Sequence, residues 1–277
     1  MEIALQFVLL ALGFVMLGKG ADWFVEGAAG IAMRFGIPQL VIGLTIVAMG
    51  TSAPEAAVSI AAAVKGNADI TIGNIVGSNI LNILVILGLA ASIVPIAVAR
   101  STVRIEIPFM IGVTALLFYQ GRDSSISLAD GGVLMVAFAA YMMYLYTMAM
   151  KSNVDSDLEE PGLPLGRCLL GAVGGLALII AGSNVTVGAA TSIATYAGLS
   201  ERFIGLTIVA LGTSLPELFT SVAAARRGNA DIAIGNIVGS NIFNILFVVG
   251  LSSLIIDIPF ASAFNFDTYV ALGAAVL

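Results

Sequence analysis

Two stretches of this chain are nearly the same sequence. IGLTIVAMGTSAPE at 42–55 is matched by IGLTIVALGTSLPE at 204–217, and KGNADITIGNIVGSNILNIL at 65–84 by RGNADIAIGNIVGSNIFNIL at 227–246, in both cases at an offset of 162 residues without a gap. A period this long is no solenoid unit, since those repeat every 20 to 50 residues or so. It implies duplicated halves packed face to face, with equivalent helices in each.

What those halves fold in follows from composition. Of 277 residues, 59% are hydrophobic and 10% charged, with a mean hydropathy of +1.07, far outside the soluble range. The chain reads as an all-α polytopic membrane protein with roughly nine or ten spans. Apolar runs separated by polar punctuation predict spans near 3–33, 39–63, 70–96, 105–120, 129–150, 165–196, 203–225, 232–256 and from 267 onward. The first and sixth are too long to stand upright in a hydrocarbon core of about 30 Å, so they should tilt. The division expected is a first transmembrane repeat over 1–150, a short linker over 151–164, and a second transmembrane repeat over 165–277. The linker's acids read as a solvated connection, since they lack a calcium-loop pattern.

Parity supplies an expected topology. Glu55 falls in the second span and Glu217 in the seventh, and an odd displacement turns the second repeat upside down, giving two inverted five-helix repeats on a ten-helix plan. Arg34, Arg100, Arg104, Lys151, Arg167, Arg226 and Arg227 then share one side, against Lys65, Arg122 and Arg202 on the other. By the positive-inside rule the linker is cytoplasmic and the N-terminus external. Leu277 corresponds to Ala115, inside the fourth span of the first half, so the tenth helix is expected to be missing from this chain. Met1-Glu2 enters an apolar run with no basic n-region, which reads as a first span rather than a cleaved signal.

Several functions are excluded by what is scarce. Net charge is −6 with Lys and Arg scattered, so no basic surface exists for nucleic acid. There is no His, which removes Ser-His-Asp catalysis, HExxH zinc sites and bis-His haem. Cys168 is the lone cysteine and forms no intrachain disulfide.

Ionisable groups inside spans are costly, by about 2.5–3.5 kcal/mol or more, and normally face a cavity or partner. Glu55 and Glu217 are the two clearest. Each follows Gly-Thr-Ser-x-Pro, and Pro54 and Pro216 cannot donate to the carbonyls of Gly50 and Gly212, so both helices should break at membrane depth. Backbone oxygen, hydroxyl and carboxylate together make a hard donor set suited to Na+ or Ca2+. Thr51, Ser52 and Glu55 lie three and four residues apart, as do Thr213, Ser214 and Glu217, which places their oxygens on one helical face. A second cluster joins each: Ser78 with Asn82, and Ser240 with Asn244, at the same spacing in glycine-rich segments. Asn67, Asp69, Asn229 and Asp231 stand at helix starts and read as N-caps. Asn74, Asn79, Asn236 and Asn241 are compatible with packing or binding, while Asp22, Glu26 and Glu106 have no repeated counterpart and receive no role.

GTSAPE with GNADITIGNIVGSNILN, repeated as GTSLPE with GNADIAIGNIVGSNIFN, resembles the paired α-repeats of the calcium/cation antiporter superfamily, and its prokaryotic sodium/calcium exchangers in particular. The resemblance implies cation ligands at Thr51, Ser52, Glu55, Ser78 and Asn82, and at Thr213, Ser214, Glu217, Ser240 and Asn244. It adds the backbone carbonyls of Ala48 and Ala210. Some relatives have Asp where this chain has Asn244, which bears on stoichiometry and any potassium requirement. Proton/calcium exchangers carry a GNxxE-type motif where this chain reads Gly-Asn-Ala-Asp, which favours sodium as the driver. Three-for-one exchange of Na+ for Ca2+ by alternating access is implied, with no cofactor and no obligate protein partner, in a prokaryotic cell membrane.

Competing readings are a proton/calcium or potassium-dependent exchanger of the same fold, a channel, a membrane enzyme and a purely structural protein. A channel needs an open polar path, whereas paired midplane carboxylates suit an occludable site. An enzyme lacks a nameable nucleophile and base. A structural protein leaves the duplicated glutamates unexplained.

Overall fold

The structure, a computed structural model, describes residues 2–151, 163–200, 207–208 and 210–276. The acids expected to solvate the linker, and the start of the seventh span, lie outside the described residues. The described helices are α1 (Glu2–Phe35), α2 (Gln39–Thr51), α3 (Ala53–Val64), α4 (Ile70–Ile93), α5 (Thr102–Asp123), α6 (Leu128–Lys151), α7 (Leu165–Tyr196), α8 (Ala210–Thr213), α9 (Leu215–Arg226), α10 (Ala230–Ile255) and α11 (Ala263–Val276). Six are long and apolar enough to cross a membrane singly, and α2 with α3 makes one bent span. Large apolar side chains are exposed along the outer faces, among them Leu5, Phe7, Val136, Leu170 and Phe266, as a lipid-facing surface requires.

The long helices α1 and α7 run antiparallel against one another along a seam of small residues. Gly13 meets Gly182, Gly20 meets Gly175, and Gly27 meets Cys168 and Ala172, a contact at every seventh residue of each helix. Membrane helices have no hydrophobic effect to drive them together, so close backbone approach at small residues supplies the association.

Among the remaining helices, α10 is the central element. In its most apolar 18-residue window 94% of residues are buried, against 39% for α4, its counterpart in the first half. It packs on α2, α9 and α6. π-helical segments begin at Asn82 and at Asn244, one in each repeat, and others span Gly43–Val47 and Thr102–Glu106. Such bulges recur at functional sites, because the extra residue re-aims the side chains around it.

Two expectations about local structure change. The helix ahead of each Gly-Asn-Ala-Asp ends on glycine: Gly66 (φ 73°) and Gly228 (φ 76°) take left-handed geometry, and the next N–H, of Asn67 or Asn229, returns to the carbonyl of Ala62 or Ala224. These are Schellman ends. Both asparagines therefore act through their backbones as helix terminators, and of the two only Asn229 also stands at the expected N-cap position. Ala68 holds one N-cap and Asn229 the other, in both cases without a side-chain capping bond. The second change is a small antiparallel pairing of Ser125–Ile126 with Ile258–Pro259 in a fold that is otherwise helical. It ties the α5–α6 turn to the approach of α11.

Candidate cation site

The Thr-Ser-x-Pro-Glu stretches build the site by breaking their helices. α2 ends at Ser52 (φ −82°, ψ 5°) and α3 starts at a bend of 51°. Pro54 falls in the first turn of α3, where its missing N–H costs nothing, and Glu55 follows it in the same turn. Ser214 (φ −90°, ψ 3°), Pro216 and Glu217 repeat this at the start of α9. A carboxylate in the first turn of a helix is favoured by the unpaired N–H groups there.

The break redirects the hydroxyls. Ser52 Oγ donates to Glu217 Oε1 at 2.8 Å, and Ser214 Oγ donates to Glu55 Oε1 at 3.3 Å. Thr51 likewise interacts with Glu217, and Thr213 with Glu55. Each carboxylate is thus held by the opposite repeat, whereas helical spacing had placed its partners on its own. The i, i+4 argument assumes an unbroken helix, and the turn at Ser52 and Ser214 cancels it.

A set of asparagines closes the other side. Asn79 Nδ2 donates to the carbonyl of Asn241 at 3.1 Å and Asn241 Nδ2 to that of Asn79 at 3.3 Å. Asn82 Nδ2 donates to Asn241 Oδ1 at 2.9 Å and Asn244 Nδ2 to Asn79 Oδ1 at 3.1 Å. Applying the 162-residue offset exchanges the bonds within each pair, as a two-fold relation between halves requires. One step out, Asn74 and Asn236 donate to the carbonyls of Glu55 and Glu217, both at 3.4 Å, and to the hydroxyls of Ser59 and Ser221. Thr51 Oγ1 reaches Asn236 Oδ1 at 2.9 Å. Asn74, Asn79, Asn236, Asn241, Ser59 and Ser221 are supporting residues that motif reasoning left open or passed over. Their signal was there: each recurs in its partner half.

The remaining candidates fall in the same region. Ser78 is buried one turn before Asn82. Ser240 Oγ donates to the Ala48 carbonyl at 3.4 Å, and Thr51 Oγ1 is 3.3 Å from it. Ala210, the counterpart of Ala48, opens α8. The Gly212 carbonyl, freed by Pro216, is taken by Ser183 Oγ of α7 at 2.7 Å, so this freed oxygen is already used within the protein.

What the network leaves over decides its chemistry. The amide nitrogens of Asn82 and Asn244 are spent on the opposite repeat, which leaves their amide oxygens as acceptors. Glu55 Oε2, Glu217 Oε2, Asn82 Oδ1 and Asn244 Oδ1 are all buried without a hydrogen-bond partner among the described residues. An orphaned buried acceptor costs about 1–3 kcal/mol, more when charged, and here four acceptors are orphaned in two related pairs. No cationic side chain answers them: among the described residues the ion pairs are those of Arg227 with Asp22 and Glu26. Among the described residues, too, no three His, Cys, Asp or Glu side chains gather as a metal-binding group. Two carboxylates among neutral oxygens form a hard donor set for Na+ or Ca2+.

Comparison with known proteins agrees with this chemistry. A family model described as "Sodium/calcium exchanger protein" matches residues 5–147 and 168–277. The chain belongs to this family. It is 34% identical to a sodium/calcium exchanger of Methanosarcina acetivorans, over 96% of this chain and 87% of that protein. It is also 40% identical to an inner membrane protein of Escherichia coli, over 89% of this chain and 79% of the other. A solved structure of the sodium-calcium exchanger NCX_Mj, soaked with Na+ and Sr2+, superposes with a TM-score of 0.87 at 34% identity, covering 99% of this chain and 89% of that one. For this exchanger-family chain, both Glu-bearing stretches and both asparagine clusters fall within the matched residues.

Proposed function

We propose that this chain is a secondary-active antiporter that exchanges Na+ for Ca2+ across a prokaryotic cell membrane by alternating access, one ion load at a time in a single buried site. The ligands are Thr51, Ser52, Glu55, Ser78 and Asn82 with the Ala48 carbonyl, and Thr213, Ser214, Glu217, Ser240 and Asn244 with the Ala210 carbonyl. The observation that carries this reading is the set of four orphaned oxygens around two carboxylates that have no cationic partner among the described residues. Two ionised glutamates balance one Ca2+ and equally hold Na+, so the ions compete for the same charge. Exchange of three Na+ for one Ca2+ moves one net charge, which a membrane potential biases by about 2.3 kcal/mol per 100 mV.

The first repeat over 1–150 and the second over 165–277 are inverted about the membrane plane in this reading. The close backbone contact along the glycine seam suits α1 and α7 to move as a unit against the ion-holding α2, α3, α4, α8, α9 and α10. Proteoliposomes test the function. Ca2+ uptake is expected under an outward Na+ gradient and to respond to an imposed potential. Uptake driven by a pH gradient without Na+, or strictly dependent on K+, would replace the sodium reading with a proton or potassium-dependent one.

Topology has its own test. With Cys168 replaced, a cysteine at Ser156 in the linker is expected to label from the cytoplasmic face and one at Ser124 from outside. Labelling of both from one side would defeat the inverted arrangement, because α6 alone separates them.

A further inference from the structure

A third buried carboxyl lies outside the exchange site. Glu106, near the start of α5, is 1% exposed, and its Oε1 accepts from the Tyr144 hydroxyl of α6 at 2.6 Å. Among the described residues its Oε2 has no partner, nor do two other buried oxygens, Tyr141 Oη and Thr102 Oγ1. Thr102 and Glu106 bound a π-helical segment, in which four residues make nearly a full turn, so the two side chains share one face. Tyr141 stacks on Phe109 with ring centroids 5.2 Å apart and lies 6.5 Å from the Tyr144 ring, against the turn of α5 that carries Glu106. Arg104 is exposed, and among the described residues no Lys or Arg pairs with Glu106.

We propose that Glu106, Tyr141 and Thr102 form a second cation site, which takes one alkali-metal ion at the contact between α5 and α6. One cation would accept a lone pair from each of these three oxygens. One carboxylate balances one positive charge, and a divalent ion here would bring an uncompensated charge into a low-dielectric site. Tyr144 keeps its own bond to Oε1 and so holds the carboxyl in place.

The site belongs to one half only. Thr268 stands where the repeat relation places a counterpart to Glu106, and its hydroxyl is satisfied by the Phe264 carbonyl at 2.8 Å. A cation held here has no symmetric station to move to, so it is a resident ion rather than cargo. It can still influence exchange: Met110, one turn beyond Glu106, receives the Asn241 amide at 3.6 Å, and Asn241 belongs to the central asparagine pair.

The test separates this site from the exchange glutamates. In a Glu55→Gln/Glu217→Gln background, thermal unfolding in detergent is compared in choline, sodium and potassium chloride, with and without Glu106→Gln. Sodium or potassium is expected to raise the unfolding temperature of the double variant by about 2–4 °C at concentrations well above half-saturation. Adding Glu106→Gln should remove that rise. Tyr141→Phe and Thr102→Val, which each delete one oxygen without changing charge, should raise the half-saturating concentration several-fold. Should the double variant fail to fold, the wild type saturated with Ca2+ gives the same comparison, since its exchange glutamates are then occupied. Indifference to alkali cations, a full response without Glu106, or stabilisation by acid alone would each overturn the proposal.

Discussion

Glu55→Gln and Glu217→Gln are each expected to abolish Ca2+ exchange in protein that still folds and inserts. Glutamine keeps the shape of the side chain and an oxygen able to accept from Ser52 or Ser214, so the bonds between repeats survive. It removes one of the two negative charges that balance Ca2+. Breaking a buried charge pair by deleting one partner costs about 3–5 kcal/mol, which corresponds to a loss of roughly 100-fold or more in affinity. Neither glutamate has a Lys or Arg to release in compensation among the described residues. Ca2+ uptake into proteoliposomes measures the loss, and size-exclusion profiles matching the wild type establish the fold. Normal exchange in both single variants would remove the shared carboxylate pair from the mechanism.

The glutamates and the residues before them were legible because an ionisable group in an apolar span is costly and here the cost is incurred twice, at equivalent places. Seven of the nine expected spans, all but the seventh and the ninth, were legible for a related reason, as polar punctuation in so apolar a chain has few uses other than ending helices. Which residues meet was not. Ser52 and Glu55 are close in sequence and belong to opposite carboxylates, because a single turn of non-helical backbone redirects the hydroxyl across the axis. Asn79 and Asn241 carry no charge and no motif chemistry, and only the packing of the two halves makes them a pair. Asp22 and Glu26, which lack repeated counterparts, find Arg227 at the far end of α9, a contact that no spacing predicts. Asn244 is instructive in the other direction. Its amide nitrogen donates to Asn79 as that of Asn82 does to Asn241, and an ionised aspartate at this position could not make that bond. Asparagine at both Asn82 and Asn244 therefore keeps the two halves alike.

A single methyl group at Gly235 is expected to destabilise the protein more than substitutions at most other glycines. A Cβ there would lie 2.9 Å from Gly43 Cα, from the Leu40 carbonyl oxygen and from the Leu44 amide nitrogen. All three are backbone atoms of α2, so no side chain can rotate aside, and α2 and α10 would have to separate. Overpacking of this kind costs about 1–3 kcal/mol where side chains can yield, and more where only backbone can move. The site would be disturbed with it, since α2 presents Thr51 and α10 presents Asn236, whose 2.9 Å bond spans that same interface. Gly112→Ala is the control: this glycine is exposed, with nothing within 4 Å of its added Cβ. Gly235→Ala should lower the unfolding temperature by about 5 °C or more, and reduce exchange in whatever protein folds, while Gly112→Ala stays near the wild type. The order matters as much as the size. Equal behaviour of the two variants would mean that the α2–α10 contact is loose enough to admit a methyl group, and the close backbone approach that positions Thr51 against Asn236 would lose its claim to hold the site together.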